Sequence, residues 1–141
     1  MIRKGTYVLF LRFDEDIVTE AGSLGKISLE AGDYCYVGSA MGGLDQRLSR
    51  HLSHDKRIRW HIDNLTSLCR DMHAYEHEGA SLPECALAEL MSSIGNTPVI
   101  DGFGCSDCKC QTHLFRADRE RTEECLRRHG MVLFADRRSV L

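Results

Sequence analysis

No apolar run in the 141 residues approaches the roughly 18 that a membrane helix needs. The sequence also lacks internal repeats, low-complexity segments and any obvious linker. Its N-terminus, Met1-Ile2-Arg3-Lys4, leads straight into a strand pattern, without the apolar stretch and small-residue cleavage site of a signal peptide. These absences predict a cytoplasmic protein with no membrane association, and a hydrophobic content of 43% suits a real core. A disulfide framework is unsupported, because seven cysteines is an odd number in a chain without a secretion signal. Cys35, Cys69, Cys85 and Cys125 lie in apolar or helical runs and read as small buried hydrophobes.

An excess of positive charge is missing too. The net charge of −3 argues weakly against nucleic acid, but the distribution matters more than the sum. Between Asp14 and Asp33 there are six acids and only Lys26 as a base. Between Arg47 and Arg59 there are five bases, Arg47, Arg50, Lys56, Arg57 and Arg59, with His51 and His54, against Asp55 alone. Such a stretch suits phosphate binding, and it also suits a solvated helix.

The periodicities predict an α/β (α+β) chain. Thr6 to Phe13 reads as a central strand, apolar on both faces, and Asp33 to Ser39 as the next. Asp14 to Gly25 is an acidic hairpin or loop. Leu44, Leu48 and Leu52 form one stripe of a helix, with Arg47, Arg50, His51 and His54 on the adjoining arc. A short helix over Trp60 to Leu68, a third strand over Arg70 to Glu76 and a helix from Ser81 to about Ile94 follow. Asn96 to Lys109 is turn-rich, His113 to Ala117 a short strand, and Asp118 to His129 a charged helix.

Cleaving a phosphodiester requires a base to activate water and a cation to balance the phosphorane. Tyr7 and Tyr36, on neighbouring strands, are candidates for the first task, although a tyrosine pKa near ~10 needs help from a neighbouring charge. Arg47 suits the second, since its planar fork binds phosphate bidentately and stays charged. His51, one turn further on, could orient a tyrosine or water. Each residue alone also fits a bland role in strand packing or on a solvated helix face.

Glu84 admits two readings. Ser81-x-x-Glu84 has the form of a capping box. Glu84 also flanks the stripe of Leu87, Ala88 and Met91, where a carboxylate is costly unless paired and a hard divalent cation is a good partner. His61, beside Trp60, is a second candidate catalytic histidine or a structural one. Cys105-x-x-Cys108-x-Cys110-x-x-His113 has the composition of a zinc site, though Cys-x-Cys is tight spacing for four ligands. Alternatively, Ser106, Asp107, Cys108 and His113 line a cleft.

Taken in order, these marks resemble the GIY-YIG nuclease superfamily. They are Gly5-Thr6-Tyr7-Val8-Leu9, Tyr36-Val37-Gly38-Ser39-Ala40, Gly43-Leu44 with Arg47 and His51, Trp60-His61-Ile62-Asp63, Glu84, Gly102-Phe103-Gly104-Cys105-Ser106-Asp107-Cys108 and His113-Leu114-Phe115. The closest likeness is to the subfamily also found attached to endonuclease III-like proteins. The resemblance implies a three-stranded antiparallel sheet flanked by helices, forming a nuclease domain over residues 1–116, with 117–141 as a helical and strand extension packed on it. It implies metal-dependent cleavage of DNA in repair or in processing of branched or damaged DNA, without excluding RNA. Tyr7 would be the general base, Arg47 the phosphate clamp, Tyr36 with His51 or His61 the supporting shell, and Glu84 the ligand of Mg2+ or Mn2+.

The sequence departs from that pattern at Thr6, in place of the usual isoleucine, and at the superfamily's late asparagine. Asn96 comes too early, and the equivalent stretch offers Asp101, Ser106 or Asp107. Two other readings therefore stand beside the nuclease: a non-catalytic nucleic-acid-binding module on the same fold, and a zinc-stabilised structural or regulatory protein.

Overall fold

The elements run β1 (Gly5–Phe13), β2 (Ile17–Glu20), β3 (Lys26–Leu29), β4 (Gly32–Ala40), α1 (Leu44–His51), α2 (Asp63–Thr66), β5 (Asp71–Glu78), α3 (Glu84–Ser93), β6 (Thr97–Pro98), β7 (Leu114–Arg116), α4 (Arg119–Arg128) and β8 (Val132–Leu133). They belong to a computed structural model that describes residues 2–53, 56–69, 71–105 and 108–135. The mixed α/β class is as expected. The sheet is larger than expected: six strands in the order β6-β7-β4-β1-β5-β8, every pair antiparallel. Of the three added strands, β7 is the short strand expected over His113 to Ala117, while β6 and β8 are two residues long, too short to show a period of two in the sequence.

β1 is central because it is apolar on both faces; of its nine residues only Arg12 is exposed. Tyr7, Leu9, Leu11 and Phe13 face one core, joined by Leu44 and Leu48 of α1, Leu65 of α2 and Ile27 and Leu29 of the β2–β3 hairpin. Val8 and Phe10 face a second core with Leu87 and Met91 of α3 and Leu126 of α4. The acidic excursion after β1 is thus a hairpin that covers the first face. The chain after Phe115 supplies Leu126 and Met131 to the second core, and β8 pairs with β5. None of the described helices is long and apolar enough to cross a membrane.

Two local expectations are corrected. α3 begins at Glu84 with Pro83 as its N-cap and no side-chain capping bond, so the capping box does not form. Ser81 Oγ instead lies 3.4 Å from His77 Nε2. Among the cysteines, Cys35 and Cys69 are buried, but Cys85 is exposed and Cys125 half-buried.

Candidate functional site

Antiparallel register sets Tyr7 opposite Gly38 and Leu9 opposite Tyr36, so both tyrosines project from the same face of adjacent strands. A Cβ at position 38 would lie 2.3 Å from Tyr7 Oη. Only glycine lets the Tyr7 ring cross β4 there. Tyr7, Tyr36, Arg47, His51, Trp60 and His61 all line one cleft of about 410 Å³. An adjoining hollow of about 280 Å³ shares Tyr7, Tyr36 and Arg47 and adds Ser39, Glu84 and Cys108. The five residues expected to be catalytic thus line the cleft, and Glu84, the expected metal ligand, lines the hollow that shares Tyr7, Tyr36 and Arg47 with it.

Tyr7 Oη and His51 Nε2 are 2.7 Å apart, and both residues are almost wholly buried. Burial raises the Tyr7 pKa well above its ordinary value, and the Tyr36 phenol adds to the rise. Burial also pushes His51 down to about 3, with Lys56 adding to the effect. At neutral pH the pair is a phenol bonded to a neutral imidazole. Because the folded pKa of His51 lies below its unfolded value, the unfolded chain binds the extra proton between pH ~6.5 and ~3. Stability from this site is intact above pH ~6.5 and is lost as pH falls towards ~3. His51→Gln is expected to flatten the decline of melting temperature with falling pH, which a thermal melt series would show.

Ser39 and Trp60 both hold Arg47. Its Nη1 donates to Ser39 O at 3.0 Å, and its guanidinium lies 4.5 Å from the centre of the Trp60 ring. Arg50 lies 4.4 Å from the same ring centre. Trp60 is thus a platform for the cationic helix.

The expected basic face is divided. Arg50 turns inward, donating to Asp63 Oδ1 and Oδ2 at 2.7 and 2.9 Å and to Arg57 O at 2.8 Å. Lys56 Nζ donates to the carbonyls of Arg50 and His51 at the end of α1, and burial lowers its pKa to about 8. Arg57 and Arg59 are exposed. His54 lies outside the described residues.

Asp63 is the residue that sequence reasoning undervalued. It is fully buried, and besides Arg50 it accepts from the backbone N–H groups of Arg59 and Trp60, both at 2.8 Å. Burial alone would raise its carboxyl, yet the bonds from Arg50, Trp60 and Arg59 outweigh that and hold it below the usual range. The segment carrying Trp60 and His61 is pinned by this one side chain. Its signal in the sequence was an acid placed just after a basic run.

Glu84 is partly exposed at the start of α3, and its Oε2 is 3.9 Å from His113 Nδ1. His113 is completely buried, and burial lowers its pKa although Glu84 opposes the shift. Among the described residues Glu84 is the sole carboxylate lining the hollow. A magnesium-class ion keeps several waters and takes one or two carboxylates, so this donor set fits such an ion.

The cysteine loop differs from its spacing in the sequence. Cys108, Cys110 and His113 do cluster, but the fourth member is Cys85 of α3, not Cys105. Cys105 instead lines the cleft, with its Sγ 3.4 Å from Phe103 O. Ser106 and Asp107 lie outside the described residues. Asn96 is buried and structural: it donates to Thr122 Oγ1 at 3.0 Å and accepts from Asp118 N–H at 3.2 Å, tying the end of α3 to α4. Asp101 accepts from Gln111.

Fold and site together define an antiparallel α/β protein with a buried Tyr–His pair, an anchored arginine and a carboxylate around one cleft and its adjoining hollow. The chain belongs to the family described as Domain of unknown function DUF123, which matches residues 6–133. No curated protein and no solved structure matches it significantly.

Proposed function

We propose that this protein is a GIY-YIG-type, metal-dependent endonuclease that cleaves phosphodiester bonds of DNA. The observation that carries the reading is the meeting of Tyr7, Tyr36, Arg47, His51 and Glu84 around the cleft and its adjoining hollow, from β1, β4, α1 and α3. Arg47, fixed by Ser39 and Trp60, presents its guanidinium to a phosphate and balances the charge that develops on phosphorus. Tyr7 acts as the phenolate general base towards the attacking water: the Arg47 cation, and a metal ion when bound, favour the ionised phenol that burial opposes, and the contact with His51 Nε2 orients its Oη. Tyr36 walls the cleft beside Tyr7, and His61 borders it on the side of Trp60. Glu84 would hold a Mg2+ or Mn2+ ion, which when bound supplies Lewis-acid stabilisation to the phosphoryl oxygens. Exposed Arg59 lines the cleft and exposed Arg57 adds to the basic surface on which DNA would lie.

The test is cleavage of labelled duplex, nicked, flapped and branched DNA, with RNA alongside, in magnesium, manganese or chelator. Metal-dependent nicking that is lost in Glu84→Ala is expected. Absence of cleavage in every condition, with salt-sensitive binding retained, would move the reading to the binding module. The structural commitment of Asn96 to α4 is the observation that favours that second reading, since no described asparagine then serves the cleft.

A further inference from the structure

A second cluster of donors borders the hollow, sharing Cys85 and Cys108 with its lining, and the proposed cleavage assigns it no role. Cys85 in the first turn of α3, Cys108 and Cys110 in the preceding loop of β7, and His113 at that loop's end place three Sγ atoms and an imidazole nitrogen within 4.8 Å of one another. Three thiols and an imidazole are a closed donor set for a structural zinc site. With Zn–S near ~2.3 Å and Zn–N near ~2.0 Å, a tetrahedron puts sulfur and nitrogen roughly 3.5 Å apart. Cys108 Sγ and His113 Nε2 are 3.5 Å apart. One edge of the tetrahedron is already set.

His113 supplies an independent observation. Its side chain is wholly buried, yet its Nδ1 has no hydrogen-bond partner among the described residues. That nitrogen faces Glu84 at 3.9 Å while Nε2 faces the thiol of Cys108. An imidazole with one nitrogen towards soft donors and the other towards a carboxylate has the arrangement of a metal-bound histidine oriented from outside. A purely structural buried histidine would pair both nitrogens.

We propose that Cys85, Cys108, Cys110 and His113 bind one structural zinc ion that fastens the N-terminus of α3 to the loop before β7. Binding releases the three thiol protons to solvent and leaves His113 neutral, with its remaining N–H directed at Glu84. The ion would join two segments far apart in sequence, and it would do so whether or not the cleft cleaves DNA.

The experiment uses the full chain under reducing conditions. Metal analysis after loading with zinc is expected to give one zinc per chain, and cobalt in its place should show the visible and thiolate charge-transfer bands of a tetrahedral site. Cys85→Ser and Cys110→Ser should each weaken zinc by more than the roughly 10–100-fold that loss of an outer partner costs, while Cys105→Ser leaves affinity within a few-fold. If those variants do not fold, alkylation of the wild type decides: zinc should protect Cys85, Cys108 and Cys110 and leave the rate at Cys105 unchanged. Failure to take up stoichiometric zinc, a cobalt spectrum without thiolate bands, or protection of Cys105 in place of Cys85 would overturn the proposal.

Discussion

Asp63→Ala is expected to lower stability by about 3–5 kcal/mol, the range for removing one partner of a buried ion pair. The carboxylate is fully buried and satisfies Arg50 twice and two backbone N–H groups at once. Its loss leaves the Arg50 guanidinium only partly paired and removes the shared acceptor of the Arg59 and Trp60 amides. In a domain of this size the melting temperature should fall by on the order of 10 °C. Asp63→Asn should cost less, because an amide oxygen in the place of Oδ2 can still accept both backbone bonds and only the ion pair with Arg50 is lost. The effect reaches the cleft, since the segment with Trp60 would loosen and Arg47 would lose its platform. Thermal unfolding followed by circular dichroism checks this; a fall of less than about 1 kcal/mol would show that the segment is held by something other than Asp63.

Tyr7→Phe is expected to slow DNA cleavage by roughly 10²–10⁴-fold while leaving DNA affinity within a few-fold, the span ascribed to a positioned general base. The ring remains to fill the space over Gly38, so packing is kept. What goes is the hydroxyl bonded to His51 Nε2. His51 then has two buried nitrogens without protein partners, because its Nδ1 already lacks one among the described residues. The stability cost is about 1–3 kcal/mol, so folded protein remains for the assay. Single-turnover rates beside binding curves separate the two effects. Cleavage at the wild-type rate would remove Tyr7 from the chemistry.

The contrast between Arg47 and Arg50 shows how far sequence reasoning reaches. Both sit on one arc of an amphipathic helix, and the sequence treats them alike. In the fold one caps Ser39 O and faces the cleft, while the other is consumed by Asp63. Helical spacing specifies a face; it does not say which neighbour arrives there. The same limit applies to Glu84, whose capping-box pattern is local and whose position beside Tyr7 is not.

What the sequence determined by itself is what short-range periodicity encodes. The two-sided apolar run of β1 required a central strand, Gly38 and the tyrosines marked adjacent strands, and the leucine stripe of α1 set which way Arg47 and His51 turn. The short strand over His113 to Ala117 was legible and forms β7, but tertiary structure alone decided its pairing with β4 and the two-residue edge strands β6 and β8. It also decided the burial that keeps Tyr7 and His51 neutral, and the exchange of Cys105 for Cys85 in the sulfur cluster. Spacing along a loop suggests ligands from that loop. Packing of α3 against it brings in a cysteine from elsewhere, because donor sets are chosen by distance in space and not by distance along the chain.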